Sequence, residues 1–296
     1  MPTSSVVKKR RARKSNHQRV QLRLFYQRAL GVTTKRTETG SGVAQKQSRM
    51  PELPEVETMR RGILAIQGAT VTHVEKIRCL RKPISIAPTI STIRRRLVGK
   101  IVKAVERIGK RVLIRFETDE SLVFEPRMTG LVLVSDPPSS AHLRFRIGFS
   151  QGIEEVFFWD RRGLGLIYLL TAEEREQRLG PTKLGPDALA VSGEELNVIL
   201  GKSKRPIKVA LLDQKKLAGV GNLYASELLH VAGIHPEKSC HRITRQQWHR
   251  ICESMHTILH TAIRMEGSTL SDGTYRNALN DPGGYQNMHR VYDKQG

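Results

Sequence analysis

Cysteine is scarce in this chain: three residues in 296, Cys79, Cys240 and Cys252, with no two in a C-x-x-C arrangement. Thiols so few and scattered exclude a disulfide framework and fit a reducing, cytoplasmic compartment. Acidic residues are also short, 28 against 50 Lys and Arg, which leaves a formal net charge of +22. An imbalance of that size points to a polyanionic partner, nucleic acid before anionic membrane. Long apolar runs are missing as well. The best, residues 164–170, contains a glycine, and a spanning helix needs roughly 18 apolar residues. No membrane partner is expected, and the chain reads as a soluble monomer.

The charge is unevenly spread. Residues 1–49 carry 13 Lys and Arg against one acid, Glu38, a surplus of +12, and the remainder keeps +10. That leader has too few apolar residues to form a core, and Arg23 and Arg28 interrupt the stretch that would have to serve as a secretory signal. Three readings stay open for it: a disordered basic arm, a transit peptide, or upstream sequence placed before the true start. Domains are expected over residues 50–180 and 181–296.

From residue 54 the apolar positions Val56, Met59, Ile63, Leu64 and Ile66 recur at helical spacing, after a proline suited to a first turn and before Gly68. The pattern predicts a helix over residues 54–67. Short runs rich in Val, Ile and Phe follow over residues 71–80, 101–105, 111–116, 121–124, 143–149, 156–159 and 166–170. Separated by turn residues, they predict a β-sandwich or barrel covered by the first helix. Beyond residue 180 helical patterns take over, notably over residues 206–214, 222–232 and 244–265. The fold class is α+β, a sandwich with a leading helix followed by a mainly helical domain.

Chemistry enters at Met50-Pro51-Glu52-Leu53-Pro54-Glu55-Val56-Glu57, which reads like the start of a protein. With Met50 removed, Pro51 carries a free secondary amine, and an α-amino group titrates at roughly 7.7 to 8.0. Such an amine can attack a sugar carbon and form an iminium. Within a chain the same nitrogen is a delocalised amide without that reactivity. Glu52 and Glu55 lie three apart, a spacing that brings side chains to one helix face. The plainer reading of these glutamates is dipole complementation, and their place directly after a methionine is what argues against it. Asn222 follows Gly219-Val220-Gly221 at a helix start, where free amides favour a phosphate. Lys202, Lys204 and Lys208 just upstream suit phosphate contacts.

Met50 to Thr58 resembles the N-terminus of the formamidopyrimidine-DNA glycosylases, relatives of endonuclease VIII. Further similar segments follow in order: Gly109-Lys110-Arg111, Met128-Thr129-Gly130, Asp160-Arg161-Arg162-Gly163-Leu164-Gly165, Leu184-Gly185-Pro186, Gly219 to Glu227, Gly233-Ile234-His235-Pro236 and Gly267-Ser268-Thr269-Leu270. The resemblance implies base-excision repair of damaged double-stranded DNA: excision of oxidised purines, then nicking by β,δ-elimination, in the nucleoid. By position it makes Pro51 the Schiff-base nucleophile, Glu52 the general acid at the sugar, Glu55 a supporting carboxylate, and Lys110 the group that assists elimination and holds phosphate. It makes Met128, Arg162 and Leu164 the side chains that fill the gap left by an extruded base. Lys204, Lys208 and Asn222 become DNA contacts in a helix-two-turn-helix domain.

Three departures qualify this. His142 stands alone where the family often has His-x-His; Glu125-Pro126-Arg127 replaces a usual His-Leu-Gly; and Leu164 takes a position more often held by phenylalanine. The chain stops at Gly296, where the family's four-cysteine zinc hairpin is expected, so no cofactor or metal is assigned to it. His249, Cys252 and His256 could share a helix face, but four zinc ligands are lacking. Alternatives are a finger-less DNA-binding pseudoenzyme with a blocked Pro51, an endonuclease VIII-like enzyme on oxidised pyrimidines, and a basic RNA binder.

Overall fold

The computed structural model describes residues 50–271, 273–292 and 294; the basic leader, residues 1–49, lies outside the described residues. The first helix, α1 (Leu53–Gly62), has a proline in its first turn, Glu55 beside its positive end, and Arg60 and Arg61 in its last turn, the charge order its dipole favours. It is shorter than the spacing predicts. Ile63 caps it, and a single 3-10 turn, Leu64–Ile66, continues the chain. Ile63 and Ile66 remain fully buried, so the apolar periodicity is that of one buried face carried across two kinds of helix.

Nine strands follow among the described residues: β1 (Val71–Lys76), β2 (Ser85–Ala87), β3 (Val102–Ile108), β4 (Arg111–Phe116), β5 (Ser121–Glu125), β6 (Gly130–Leu133), β7 (Leu143–Phe149), β8 (Glu155–Asp160) and β9 (Leu166–Leu170). They form two sheets, β1-β7-β8-β6 and β2-β9-β5-β4-β3. Only β2 with β9 is parallel. The inner faces meet in a core built on Phe116, Phe124, Phe145 and Phe158. Phe124 stacks on Phe158 and sets an edge against Phe145, geometries that aromatic rings prefer. Sequence reading missed β2 and β6, which are three and four residues long and too short to show a period.

The other helices are α2 (Ile90–Leu97), α3 (Ala172–Leu179), α4 (Gly193–Leu200), α5 (Ile207–Leu211), α6 (Asn222–Ala232) and α7 (Arg245–Arg264). Sequence reading missed α2, α3 and α4. For the last two a usable signal existed: Thr171 with Glu174 and Ser192 with Glu195 form reciprocal capping boxes, and Thr244 with Gln247 does the same for α7. A second core gathers Tyr224, Leu228, Trp248, Ile251, Met255 and Leu259 from α6 and α7. The two cores exchange residues. Leu53 belongs to the helical one, and Tyr275, Ala278 and Leu279 belong to the sandwich, so the chain crosses the expected division at residues 180/181 in both directions.

A partly buried ion cluster ties α1 and β3 to Asp187. The Arg107 guanidinium on β3 donates to Glu57 on α1, to Asp187 beyond the sandwich, and to the Gly109 carbonyl. Glu57 also takes Arg60 and Arg61, and those cations hold its carboxyl at about 2 against the cost of burial. Removing one member of a buried pair strands its partners. Arg107→Ala should therefore lower stability by about 3 kcal/mol in urea unfolding. Lys103→Ala, which breaks the half-exposed pair with Asp119, should cost less than about 1 kcal/mol.

Candidate active site and nucleic-acid interface

Pro51, Glu52, Glu55 and Met128 line one narrow cleft, with Thr129, Leu223, Ser268, Leu270, Thr274 and Tyr275 completing the wall. Four of the sequence-predicted residues are thus neighbours. Pro51 is buried and Met50 is exposed. The next residue, Glu52, aims its carboxylate across to the helical half. It accepts the backbone N–H groups of Gly221 at 2.7 Å, Leu223 at 2.9 Å and Tyr224 at 3.4 Å, which are the unpaired donors at the start of α6. Gly221 permits the approach, since a Cβ there would stand 2.3 Å from the Glu52 carboxyl carbon.

Three of the amides at this helix start, those of Gly221, Leu223 and Tyr224, are taken by a carboxylate of the chain itself, which narrows the open phosphate cradle expected at Asn222. The Asn222 side chain is exposed and lies with Lys208, Ser226, His230 and Tyr292 around a separate cavity of about 600 Å³. Lys204 is exposed on the same domain.

Glu55 takes a different set of donors. Its Oε2 accepts the Glu52 amide at 3.0 Å, and its Oε1 accepts the Tyr224 hydroxyl at 2.7 Å and the Ser268 amide at 2.9 Å. Burial pushes both carboxyls up, Glu52 to about 7 despite the nearby Lys110 and the helix amides, and Glu55 despite its donors. Burial also pulls the Lys110 ammonium down, against the attraction of Glu52 and Glu55. Lys110 thus completes a desolvated group of one cation and two carboxyls. Its turn is held from behind by the Arg107 bond to the Gly109 carbonyl. The Tyr224 hydroxyl is driven well above 10 by burial and by Glu55, which keeps it a donor.

Arg162 and Leu164 sit on the loop between β8 and β9, organised by the buried Asp160. The Asp160 carboxylate accepts the amides of Arg162, Leu164 and Gly165 and the hydroxyl of Thr129, next to Met128. The two segments expected to fill an emptied base stack are therefore bound to one another. Gly163 has φ +63, and a Cβ there would lie 2.2 Å from the Lys82 carbonyl, so the loop requires glycine. His142 is set apart. It stands edge-on to Trp159 with ring centroids 5.4 Å apart, and burial with Arg144, Arg81 and Arg161 holds it below the ordinary histidine value.

Sequence reasoning missed Tyr224, Ser268, Thr129 and Asp160 as site residues. All four stand inside the motif strings it quoted, and the available signal was a polar residue embedded in buried surroundings. For a metal the fit is poor. Among the described residues no group of three or more His, Cys, Asp or Glu could hold one. Cys252 hydrogen-bonds the Val191 carbonyl and His249 pairs with Glu194. The described residues around Cys252 and His249 do not form a zinc centre.

Comparison with known proteins supplies the context for this geometry. Residues 50–167 match the formamidopyrimidine-DNA glycosylase N-terminal domain family, and residues 184–274 match the formamidopyrimidine-DNA glycosylase H2TH domain family. The chain is 33% identical over 256 residues to a formamidopyrimidine-DNA glycosylase of Gluconobacter oxydans, covering 83% of this chain and 89% of that protein. It is 32% identical over 251 residues to one of Moorella thermoacetica, covering 83% and 90%. Among solved structures it is similar to the MutM (Fpg) protein of Thermus thermophilus, with TM-score 0.71, 31% identity and coverage of 83% and 88%. It is also similar to wild-type Lactococcus lactis Fpg in complex with an N7-benzyl-Fapy-dG containing DNA, with TM-score 0.71, 30% identity and coverage of 83% and 89%.

Glu52 yields a pH test. Its folded value of about 7 lies above the ordinary 4.5, so the folded state binds the proton more tightly. Stability from this group is full below about 4.5 and declines as pH rises through about 7. Glu52→Gln should remove about 3 kcal/mol of that decline in urea titrations between these limits, leaving the share of Glu55, which has the same sign.

Proposed function

The chain belongs to the formamidopyrimidine-DNA glycosylase family, and on that premise we propose the reaction it carries out. It is a base-excision repair DNA glycosylase with AP lyase activity, acting on damaged double-stranded DNA. Its substrates are oxidised purines, formamidopyrimidines and 8-oxoguanine, met at the nucleoid. The observation that carries this reading is the cleft in which Pro51 sits beside two buried carboxyls and Met128, with the Lys110 charge bearing on both carboxyls.

In this scheme Met50 is removed and Pro51 becomes a secondary amine. Its nitrogen attacks C1′ of the damaged nucleotide; the N–C1′ bond forms as the bond to the base breaks, and the base leaves with that electron pair and takes up a proton. The attached nitrogen loses its own proton, and its lone pair expels O4′, which takes the proton of Glu52 and leaves an iminium. With a value of about 7, Glu52 is substantially protonated at neutrality, as a general acid requires. Glu55, held by Tyr224 and Ser268, keeps the Glu52 backbone in place through its amide.

The iminium acidifies C2′. Loss of that proton expels the 3′-phosphate, loss of the C4′ proton expels the 5′-phosphate, and water releases Pro51. Lys110 holds phosphate and assists elimination. Extruding the base leaves a gap that Met128, Arg162 and Leu164 fill, at an unstacking cost of a few kcal/mol. Lys204, Lys208, Asn222 and His142 contact the DNA around it. No step uses zinc.

Borohydride trapping on a duplex carrying 8-oxoguanine separates the outcomes. Protein beginning at Pro51 should form a covalent adduct, and the chain with an intact Met50–Pro51 peptide bond should bind the duplex without one. A cross-link from the intact chain at the same rate would rule out the amine mechanism.

A further inference from the structure

The segment from Gly284 to Tyr292 runs as a strap over residues 265–269. Gly284 and Tyr285 donate their amides to the carbonyls of Met265 and Gly267. Further along, the buried Glu227 of α6 accepts the amides of Arg290, Val291 and Tyr292. Between these two anchors lies His289, only 5% exposed, flanked by the rings of Tyr285 and Tyr292 at 5.6 and 5.7 Å. Its Nε2 is 2.8 Å from the hydroxyl of Ser268. Ser268 is itself buried, lines the Pro51 cleft and donates its amide to Glu55.

These bonds close a ring. From α6, Tyr224 reaches Glu55, Glu55 takes the Ser268 amide, the Ser268 hydroxyl meets His289, and the strap carrying His289 returns to α6 through Glu227. A buried hydroxyl without a partner costs about 1 to 3 kcal/mol, so Ser268 stays in this rotamer only while position 289 offers a polar atom. We propose that His289 is a positioning residue for the cleft: by holding the Ser268 side chain it sets the Ser268 backbone, and through that amide the orientation of the Glu55 carboxylate. This rests on the role assigned to Glu55 above. His289 is not among the residues that line the cleft, and nothing in the quoted motifs marks it.

The test pairs His289→Leu, which removes the polar atom, with His289→Gln, whose amide can occupy the Nε2 position, and with Ser268→Ala. In the full chain, hydrogen exchange of the Ser268 amide should quicken in His289→Leu and Ser268→Ala, with α7 protected as before, and should stay slow in His289→Gln. In protein beginning at Pro51, single-turnover excision should fall about tenfold or more in those two variants, with duplex affinity unchanged. Because both break one bond, the double variant should be no slower than either alone.

Exchange and excision at wild-type values in His289→Leu would overturn the proposal. So would a His289→Gln variant as impaired as His289→Leu, or effects of His289→Leu and Ser268→Ala that multiply. Should wild-type protein fail to excise while His289→Leu still speeds exchange at Ser268, the positioning role stands and the glycosylase reading falls.

Discussion

The carboxylate of Glu52 resting on the first amides of α6 is the contact on which the rest of the site depends. It joins the segment that carries Pro51 to the helix that carries Tyr224 and Glu227. A helix start leaves donors unpaired and concentrates positive potential there, so it can accept a buried anion that a sandwich core could not. Burial works against the charge strongly enough to leave the group near neutrality. One interaction therefore fixes where Pro51 stands and places a carboxyl that titrates at about 7 beside it.

Three glutamates within six residues are shifted in opposite directions. Glu57 faces Arg60, Arg61 and Arg107 and is held at about 2. Glu52 meets helix amides and a partly desolvated lysine and rises to about 7. Glu55, surrounded by neutral donors, is also raised. The side chain is the same in each case, and only the neighbours differ. Environments that push like groups apart are how one site obtains an acid and a fixed charge at a single pH. The second anchor of the site is Asp160, which binds the Met128 segment to the Arg162–Leu164 loop through Thr129, so that these two segments form one unit.

Much of this was legible in the order of residues. The leading helix, seven of the nine strands and three of the later helices follow from apolar period and turn residues, because those signals are local. Pro51, Glu52, Glu55 and Met128 could be named as one site because they stand in short distinctive strings, and the cleft gathers them. The reading failed where a role depended on distant chain. Asn222 suggested open helix amides, yet Glu52, 169 residues before Gly221, takes those of Gly221, Leu223 and Tyr224. Tyr224, Ser268 and Asp160 stood in view without a role because their partners come from other segments.

The amino-acid order by itself determined the set of reactive groups, the positive charge and the local elements, since each of these is a property of neighbouring residues. Tertiary structure alone decided which glutamates are raised and which is lowered, which loop stands beside Met128, and how a histidine near the C-terminal end bears on the cleft. Those outcomes arise from burial and from hydrogen bonds between segments far apart in the chain. Neither is encoded in any short stretch of it.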